Sequence, residues 1–302
     1  MSSNMFHGSA VDDPSSLKSF VDGAAKRPPF RNVMMVDPEH FQVLHVINPH
    51  MEGMIGAVDK ARAREEWSAI KRTYESLGLK VMVVASDEEH PDLVFVANQL
   101  LPYIDSDGHP AIVLSHMATE QRQPEVAYLA ELLRPLGFSM HPLRTQLPLE
   151  GTGDAIWHPD KNVIWGGHGF RTDESAWEEV ADMTGARVVP LTLTDDRMYH
   201  LDVALMPIDA TTAFSYHAAF DDESWARIVA GFERVIEVPA EEAQEGFALN
   251  GHCPDGKTLL LPAGNPETRQ KAEALGLTVH ELPTREFQKS GGSIFCLKNM
   301  LP

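Results

Sequence analysis

Two cysteines, Cys253 and Cys296, fourteen histidines and 44 acidic residues are the groups in this 302-residue chain that could serve as nucleophile, proton carrier or cation receptor. Most must be ordinary, since a lone histidine is commonly a surface or core residue and a cysteine commonly a small apolar filler. Position singles out a few. Asp92 and Asn98 flank one short apolar run, Glu150 and Asp154 stand at the head of another, His200 and Asp202 open a third, and Cys296 sits in an apolar run near the C-terminus. Brought together, a thiol, an imidazole and several carboxylates are the materials of nucleophilic and acid–base catalysis.

The elements that must position them repeat. Residues 92–143 read as a strand at 93–97, a turn at Ser106-Asp107-Gly108, a strand at 111–114, a helix over 125–134 stopped by Pro135, and a strand at 138–142. Residues 153–193 give the same order: strands at 155–157 and 163–165 around Pro159-Asp160, a helix over 174–183, and a strand at 187–193. Residues 201–238 give strands at 203–207 and 212–216, a helix over 223–232 and a strand at 235–238. Residues 246–283 give an apolar run, the turn Pro254-Asp255-Gly256, a strand at 258–261, a helix from Asn265-Pro266 to Gly276 and a last strand. Proline after an Asn cap and glycine past the end are helix boundary signals.

A fifth copy, with a strand at 43–47, a helix over 58–77 and a strand at 80–84, lacks its opening strand, which the segment 293–301 could supply. Five such ββαβ-type units predict one α/β domain closed into a pseudo-fivefold ring over residues 33–302, with residues 1–32 as a partly disordered arm. In that ring the first strand of each unit lines the axis. Alternation along a strand would turn His200 and Asp202 to the same side.

Composition narrows the partners. With 43% hydrophobic and 23% charged residues the chain is a folded globular protein, and its formal charge of -19 repels phosphate backbones and anionic lipid. Neither nucleic acid nor membrane is expected; small cations are drawn in. Two cysteines form no disulfide framework or paired zinc spacing, residues 1–32 hold no long apolar run, and a reducing cytoplasm is the expected setting. No Gly-x-Ser-x-Gly, His-Glu-x-x-His or phosphate-loop motif occurs, and Gly151-x-Gly153 lacks a third glycine, so neither a metal nor a cofactor is expected.

Five ordered segments carry a resemblance: Pro91-Asp92-Leu93-Val94-Phe95-Val96-Ala97-Asn98, Leu149-Glu150-Gly151-Thr152-Gly153-Asp154, Gly169-Phe170-Arg171-Thr172-Asp173, Tyr199-His200-Leu201-Asp202 and Lys289-Ser290-Gly291-Gly292-Ser293-Ile294-Phe295-Cys296-Leu297. In these the chain resembles the guanidino-group modifying enzymes: arginine deiminases, dimethylarginine dimethylaminohydrolases, amidinotransferases and arginine dihydrolases. The resemblance implies a five-bladed α/β propeller, the pentein fold. It makes Cys296 the nucleophile that forms a covalent thiouronium, His200 the proton shuttle and Glu150 the carboxylate that orients it or binds the guanidinium. It assigns Asp202 to the guanidinium, Arg171 to the substrate α-carboxylate, and Asp92 to the substrate amino end or guanidinium. Asp154 reads as a supporting residue and Cys253 as incidental. Gly291-Gly292 would let backbone approach the site.

Asn98 stands where deiminases and amidinotransferases carry Asp. With Asn48, in Ile47-Asn48-Pro49-His50-Met51, it tilts the resemblance toward arginine dihydrolases, and an acid at Asp202 favours an unmethylated guanidine. The expected activity is hydrolysis of arginine or a close guanidine with release of ammonia. The alternatives are amidino transfer to an amine, dimethylarginine hydrolysis, and a silent guanidine-binding scaffold; a homo-oligomer is compatible with all.

Overall fold

In the computed structural model, which describes residues 14–302, the strands group into five small sheets. Helix α1 (Pro14–Asp22) precedes the first sheet, where β1 (Asn32–Val36) lies parallel to β2 (Lys80–Val84) and antiparallel to the chain's last strand, β14 (Asn299–Leu301). Helix α2 (Lys60–Ser76) crosses between β1 and β2. The second sheet holds β3 (Leu100–Ile104), β4 (Pro110–Leu114) and, after α3 (Gln123–Leu133), β5 (Ser139–Pro142). The single-turn α4 (Gly151–Asp154) opens the third, made of β6 (Ala155–Trp157), β7 (Val163–His168) and, after α5 (Ala176–Thr184), β8 (Arg187–Thr192).

The fourth has β9 (Leu205–Pro207), β10 (Thr212–Ser215), α6 (Asp222–Gly231) and β11 (Arg234–Glu237). After α7 (Ala240–Gln244), the fifth pairs β12 (Thr258–Pro262) with β13 (Thr278–Leu282) across α8 (Pro266–Ala274); α9 (Arg285–Gln288) follows. Each central strand is parallel to the strand after its helix and, in the second to fourth sheets, antiparallel to the strand before it; β14 takes that antiparallel place in the first sheet and the bridge His252↔Leu260 in the fifth. A parallel partner requires a crossover long enough for a helix, which is why each unit carries one.

The central strands are covered on both faces and read as unbroken apolar runs. Ala111, Ile112 and Val113 of β4 and all of β12 are buried. The outer strands β5 and β13 are partly exposed. Helix ends follow local chemistry: Asp59 accepts from the amides of Ala61 and Arg62 at the start of α2, and Asp221 accepts from Ser224 at the start of α6.

Several expected strands are not strands. The first sheet uses Asn32–Val36, not residues 43–47, which form an unpaired loop with Leu44 and Val46 exposed and Val43 buried. Alternating burial alone imitates a strand. Residues 93–97 are buried throughout but turn, with the Phe95 amide on the Asp92 carbonyl at 3.0 Å, and the strand follows at Leu100. Residues 293–298 likewise turn before β14, so Cys296 is not in a strand. His200 caps a 3-10 turn, Leu201–Val203, so strand alternation does not aim His200 and Asp202. Within the expected arm, Leu17 and Val21 of α1 are buried among Trp165, Phe214 and Ile228, while residues 1–13 lie outside the described residues. Among the described residues, no helix is long and apolar enough to cross a membrane.

Candidate active site

The chemistry-bearing segments are the short turns that lead into antiparallel strands: 92–98 before β3, 150–154 before β6, 200–203 before β9 and 290–298 before β14. Close backbone approach joins them. Gly151 has φ +45°, and a Cβ there would lie 2.7 Å from the carbonyls of Ala97, Asn98 and Leu100. A Cβ on Gly292 would meet the Phe95 ring at 2.5 Å, so the glycine lets the cysteine turn rest on the 92–98 turn.

One cluster is built around the histidine. His200 Nε2 lies 2.7 Å from Glu150 Oε2, and its Nδ1 lies 3.4 Å from Asn98 Nδ2. Arg122 Nη1 donates to Asn98 Oδ1 at 2.8 Å, which leaves the Asn98 amide nitrogen as a donor toward Nδ1. In this arrangement Nε2 faces the Glu150 carboxylate and Nδ1 faces the Asn98 amide. Burial works to raise the Glu150 carboxyl, but the Arg171 guanidinium at 3.3 Å and the His200 bond outweigh it and hold it at about 2. Asp154 sits behind. It accepts from Thr172 Oγ1 at 2.7 Å and from the Leu201 amide at 3.0 Å, which fixes the turn carrying His200 and Asp202, and burial raises its carboxyl to about 6.

A second cluster surrounds the thiol. Cys296 Sγ donates to Asp202 Oδ2 at 3.1 Å, and Asn250 Nδ2 donates to Sγ at 3.2 Å. Asn250 Oδ1 accepts the amides of Ser293 at 2.8 Å and Cys296 at 3.3 Å, so one buried amide shapes the cysteine turn and touches its sulfur. Asp202 Oδ1 is buried with no hydrogen-bond partner among the described residues. Burial pushes the Asp202 carboxyl up to about 7, against the bond from Cys296 and the charge of Lys298, and burial together with Asp202 pushes the thiol well above its usual range. The two groups share a proton. A cation placed between them would satisfy Oδ1 and favour the thiolate.

Between the clusters is a cavity of about 10 Å³, room for about one water. Of the expected residues, Asn48, Asp92, Asn98, Arg171 and Cys296 line it, while Glu150, His200 and Asp202 lie immediately behind. Arg171 Nη2 donates to the Ile47 carbonyl at 2.6 Å, and its guanidinium lies 4.9 Å from the Tyr199 ring centroid. Asn48 Nδ2 donates to the Ser290 carbonyl at 3.1 Å, and Tyr199 donates to the Gly291 carbonyl at 2.8 Å. Asp92 is gripped by His45 Nε2 at 2.7 Å and Ser290 Oγ at 3.1 Å, and the Asp92 bond raises the His45 imidazole. The 43–51 loop, bearing His45, Ile47 and Asn48, therefore closes the cavity.

The sequence reading missed Arg122, Asn250, His45 and Tyr199. Arg122 was legible only as an Arg-x-x-Glu pair at helix spacing; it is buried, bonds Glu125 at 2.9 Å and donates to the carbonyls of Asp92 and Phe95. Asn250 lies in a turn-like Asn-Gly-His-Cys stretch with no pattern pointing to it. Cys253 stays apart from this site, half-buried and with its thiol raised by burial to about 11.

The buried thiol beside Asp202, the histidine held by Glu150 and the cavity lined by acid, amide and guanidinium groups come together in this α/β frame. Residues 48–299 match the family described as N,N dimethylarginine dimethylhydrolase, eukaryotic, and the chain belongs to that family. It is 32% identical over 273 residues to the bifunctional arginine dihydrolase/ornithine cyclodeaminase ArgZ of Synechocystis sp., a match covering 88% of this chain and 37% of ArgZ. It is 31% identical to the N(G),N(G)-dimethylarginine dimethylaminohydrolase of Mycobacterium tuberculosis, covering 90% and 86%. The chain spans a little over a third of the length of the two bifunctional relatives, ArgZ and AgrE. Its fold is mixed α/β like that of the ArgZ N-terminal domain solved covalently bound to a reaction intermediate, with a TM-score of 0.83 at 31% identity, covering 88% of this chain and 96% of that one. The dimethylarginine dimethylaminohydrolase of Pseudomonas aeruginosa, at 22% identity and a TM-score of 0.75, shares the fold.

Proposed function

We propose that this chain hydrolyses the guanidino group of arginine, taking it through two rounds at Cys296 to ornithine, two ammonia and carbon dioxide. The observation that carries the reading is the buried, unpartnered Asp202 Oδ1 beside the Cys296 thiol, with the uncharged Asn98 amide on the other side bonded to His200. A guanidinium entering there donates N–H to Asp202, and its charge draws the shared proton off the sulfur and onto His200, which becomes the imidazolium. The thiolate attacks the guanidinium carbon, and His200 passes a proton to the departing ammonia. Water, deprotonated by His200, then breaks the C–S bond. In the second round the ureido carbon is attacked in the same way. Its neutral oxygen and nitrogens fit the donor and acceptor of an amide at Asn98 better than a second carboxylate.

Arg171 is the guanidinium donor on the cavity wall that suits a substrate α-carboxylate. Arginine does not fit a 10 Å³ cavity, so entry displaces the 43–51 loop by releasing the Arg171–Ile47 and His45–Asp92 contacts. The similarity to relatives named arginine dihydrolase supports water, not an amine, as the acceptor. The five sheets serve as blades of one propeller, joined end to start where β14 pairs with β1. The two unpaired cysteines suit a reducing cytoplasm.

Product analysis tests the reading: wild-type protein with arginine should give ornithine and two equivalents of ammonia with little citrulline. Citrulline with one ammonia would make the enzyme a deiminase. Dimethylamine released from dimethylarginine faster than ammonia from arginine would overturn the role of Asp202. Amidino transfer to glycine or ornithine would replace hydrolysis.

A further inference from the structure

A second cavity, of about 340 Å³, lies beyond the cysteine turn, and the chain passes from one to the other within three residues: Cys296 lines the small cavity and Lys298 the large one. Lys298 is 2% exposed. Its ammonium sits 3.1 Å from the centroid of the Phe295 ring, and it has no hydrogen-bond or ion-pair partner among the described residues. Arg27, on the same cavity, is held 4.7 Å from the ring centroids of both Phe30 and Trp157, and its Nε and Nη1 are buried without a hydrogen-bond partner among the described residues. A buried ammonium and a half-buried guanidinium, neither in an ion pair among the described residues, are unusual in a chain with 19 more acidic than basic residues. Aromatic faces offset only part of the cost of removing them from water.

The acids that line this cavity are otherwise engaged. Asp209 accepts from the amides of Thr211 and Thr212, and Asp255 accepts from the amides of Lys257 and Thr258; both are tied into turns. Asp160 acts on Arg27 only at a distance. The remaining lining mixes apolar side chains, including Ile156, Ile208 and Met300, with Arg31, Thr152, His252 and Asn299. Such a lining, with a few convergent polar groups in a volume of several hundred Å³, is the form of a small-molecule site.

We propose that this second cavity binds a small organic carboxylate with an apolar body, its anionic end taken by Lys298 and Arg27. Burial lowers the Lys298 ammonium to about 7, and its charge in turn lowers the Asp202 carboxyl, so an anion on Lys298 is felt at the reactive thiol. Coupling of this kind is reciprocal.

The test is calorimetric binding to the intact protein, which reads the site without turnover and so stands apart from the assigned reaction. The probes are 3-phenylpropionate, its neutral counterpart 3-phenylpropanol, and inorganic phosphate. Expected is saturable binding of one 3-phenylpropionate per chain, about tenfold or more weaker for the alcohol and for Lys298→Met and Arg27→Met, and unchanged in Cys296→Ser. Arg27→Met serves if Lys298→Met does not fold. Equal binding of the alcohol, binding of phosphate alone, wild-type affinity in the variants, or loss of binding in Arg171→Ala would each overturn the proposal.

Discussion

Asp202→Asn should make Cys296 more reactive and the enzyme slower. Carboxylate and thiol are 3.1 Å apart and both buried, and the carboxyl is raised to about 7. At an effective dielectric of about 20, two unit charges at that separation repel by roughly 5 kcal/mol, or about 4 pKa units, the ceiling on what Asp202 adds to the thiol. Asparagine removes the charge and can donate an N–H to the sulfur. The midpoint of Cys296 alkylation by iodoacetamide, followed against pH by peptide mass spectrometry, should therefore fall by about 2 units or more. Cys253, raised to about 11 by burial, is the internal reference whose profile should not move. Meanwhile kcat/KM for arginine should fall about 10²–10⁴-fold, because the guanidinium loses a pair of charge-assisted bonds of roughly 1.5–3 kcal/mol each. An unmoved or raised Cys296 midpoint would refute the argument that Asp202 holds the thiol protonated until a cation arrives.

His200→Ala should lower kcat about 10²-fold or more while arginine still binds, measured by calorimetry beside steady-state rates. Arg171→Ala should raise KM for arginine far more than for agmatine, which lacks the α-carboxylate, and should move the acid limb of the pH profile upward because Glu150, held at about 2, loses its nearest cation. Asn98→Asp should make citrulline accumulate, read by product chromatography, since a second carboxylate favours the cationic first substrate over the neutral ureido group. Asp202→Asn should also be more stable than wild type at pH 8. A carboxyl near 7 in the folded state and near 4 in the unfolded one favours folding below pH 4, and that advantage is lost as pH rises through 7; the variant's gain in denaturant unfolding is about 4 kcal/mol at most.

The helices and parallel strands were legible because each had a local signal. Asn265-Pro266 started α8, Gly185 and Gly276 lie just past α5 and α8, and runs such as Leu259-Leu260-Leu261 read as buried strands. The turns were not. Leu93-Val94-Phe95-Val96-Ala97 is as apolar as a strand because it is wholly buried, and burial leaves the same composition in either conformation. Asp92, Asn98, Glu150, His200, Asp202 and Cys296 stood out as a set because they recur at one place in a repeat. Asn250 gave no such signal. Its role depends on both ends of one amide meeting a turn 43 residues downstream, a relation that spacing does not encode.

The same long-range logic explains why Arg171 looks like a structural arginine in this structure while suiting a substrate anchor. It neutralises Glu150 and holds the Ile47 carbonyl, so the groups it would exchange for a substrate carboxylate are the ones that keep the 43–51 loop shut. Glu150 keeps His200 when Arg171 turns away, because the His200 bond at 2.7 Å is shorter than the Arg171 contacts at 3.3 and 3.4 Å. Loop opening and capture of an α-carboxylate then draw on one guanidinium, whereas the charge at the thiol is set by Asp202 and the incoming guanidinium. Anchoring and activation are thereby placed on different residues, which is why Arg171→Ala and Asp202→Asn should separate in KM and kcat.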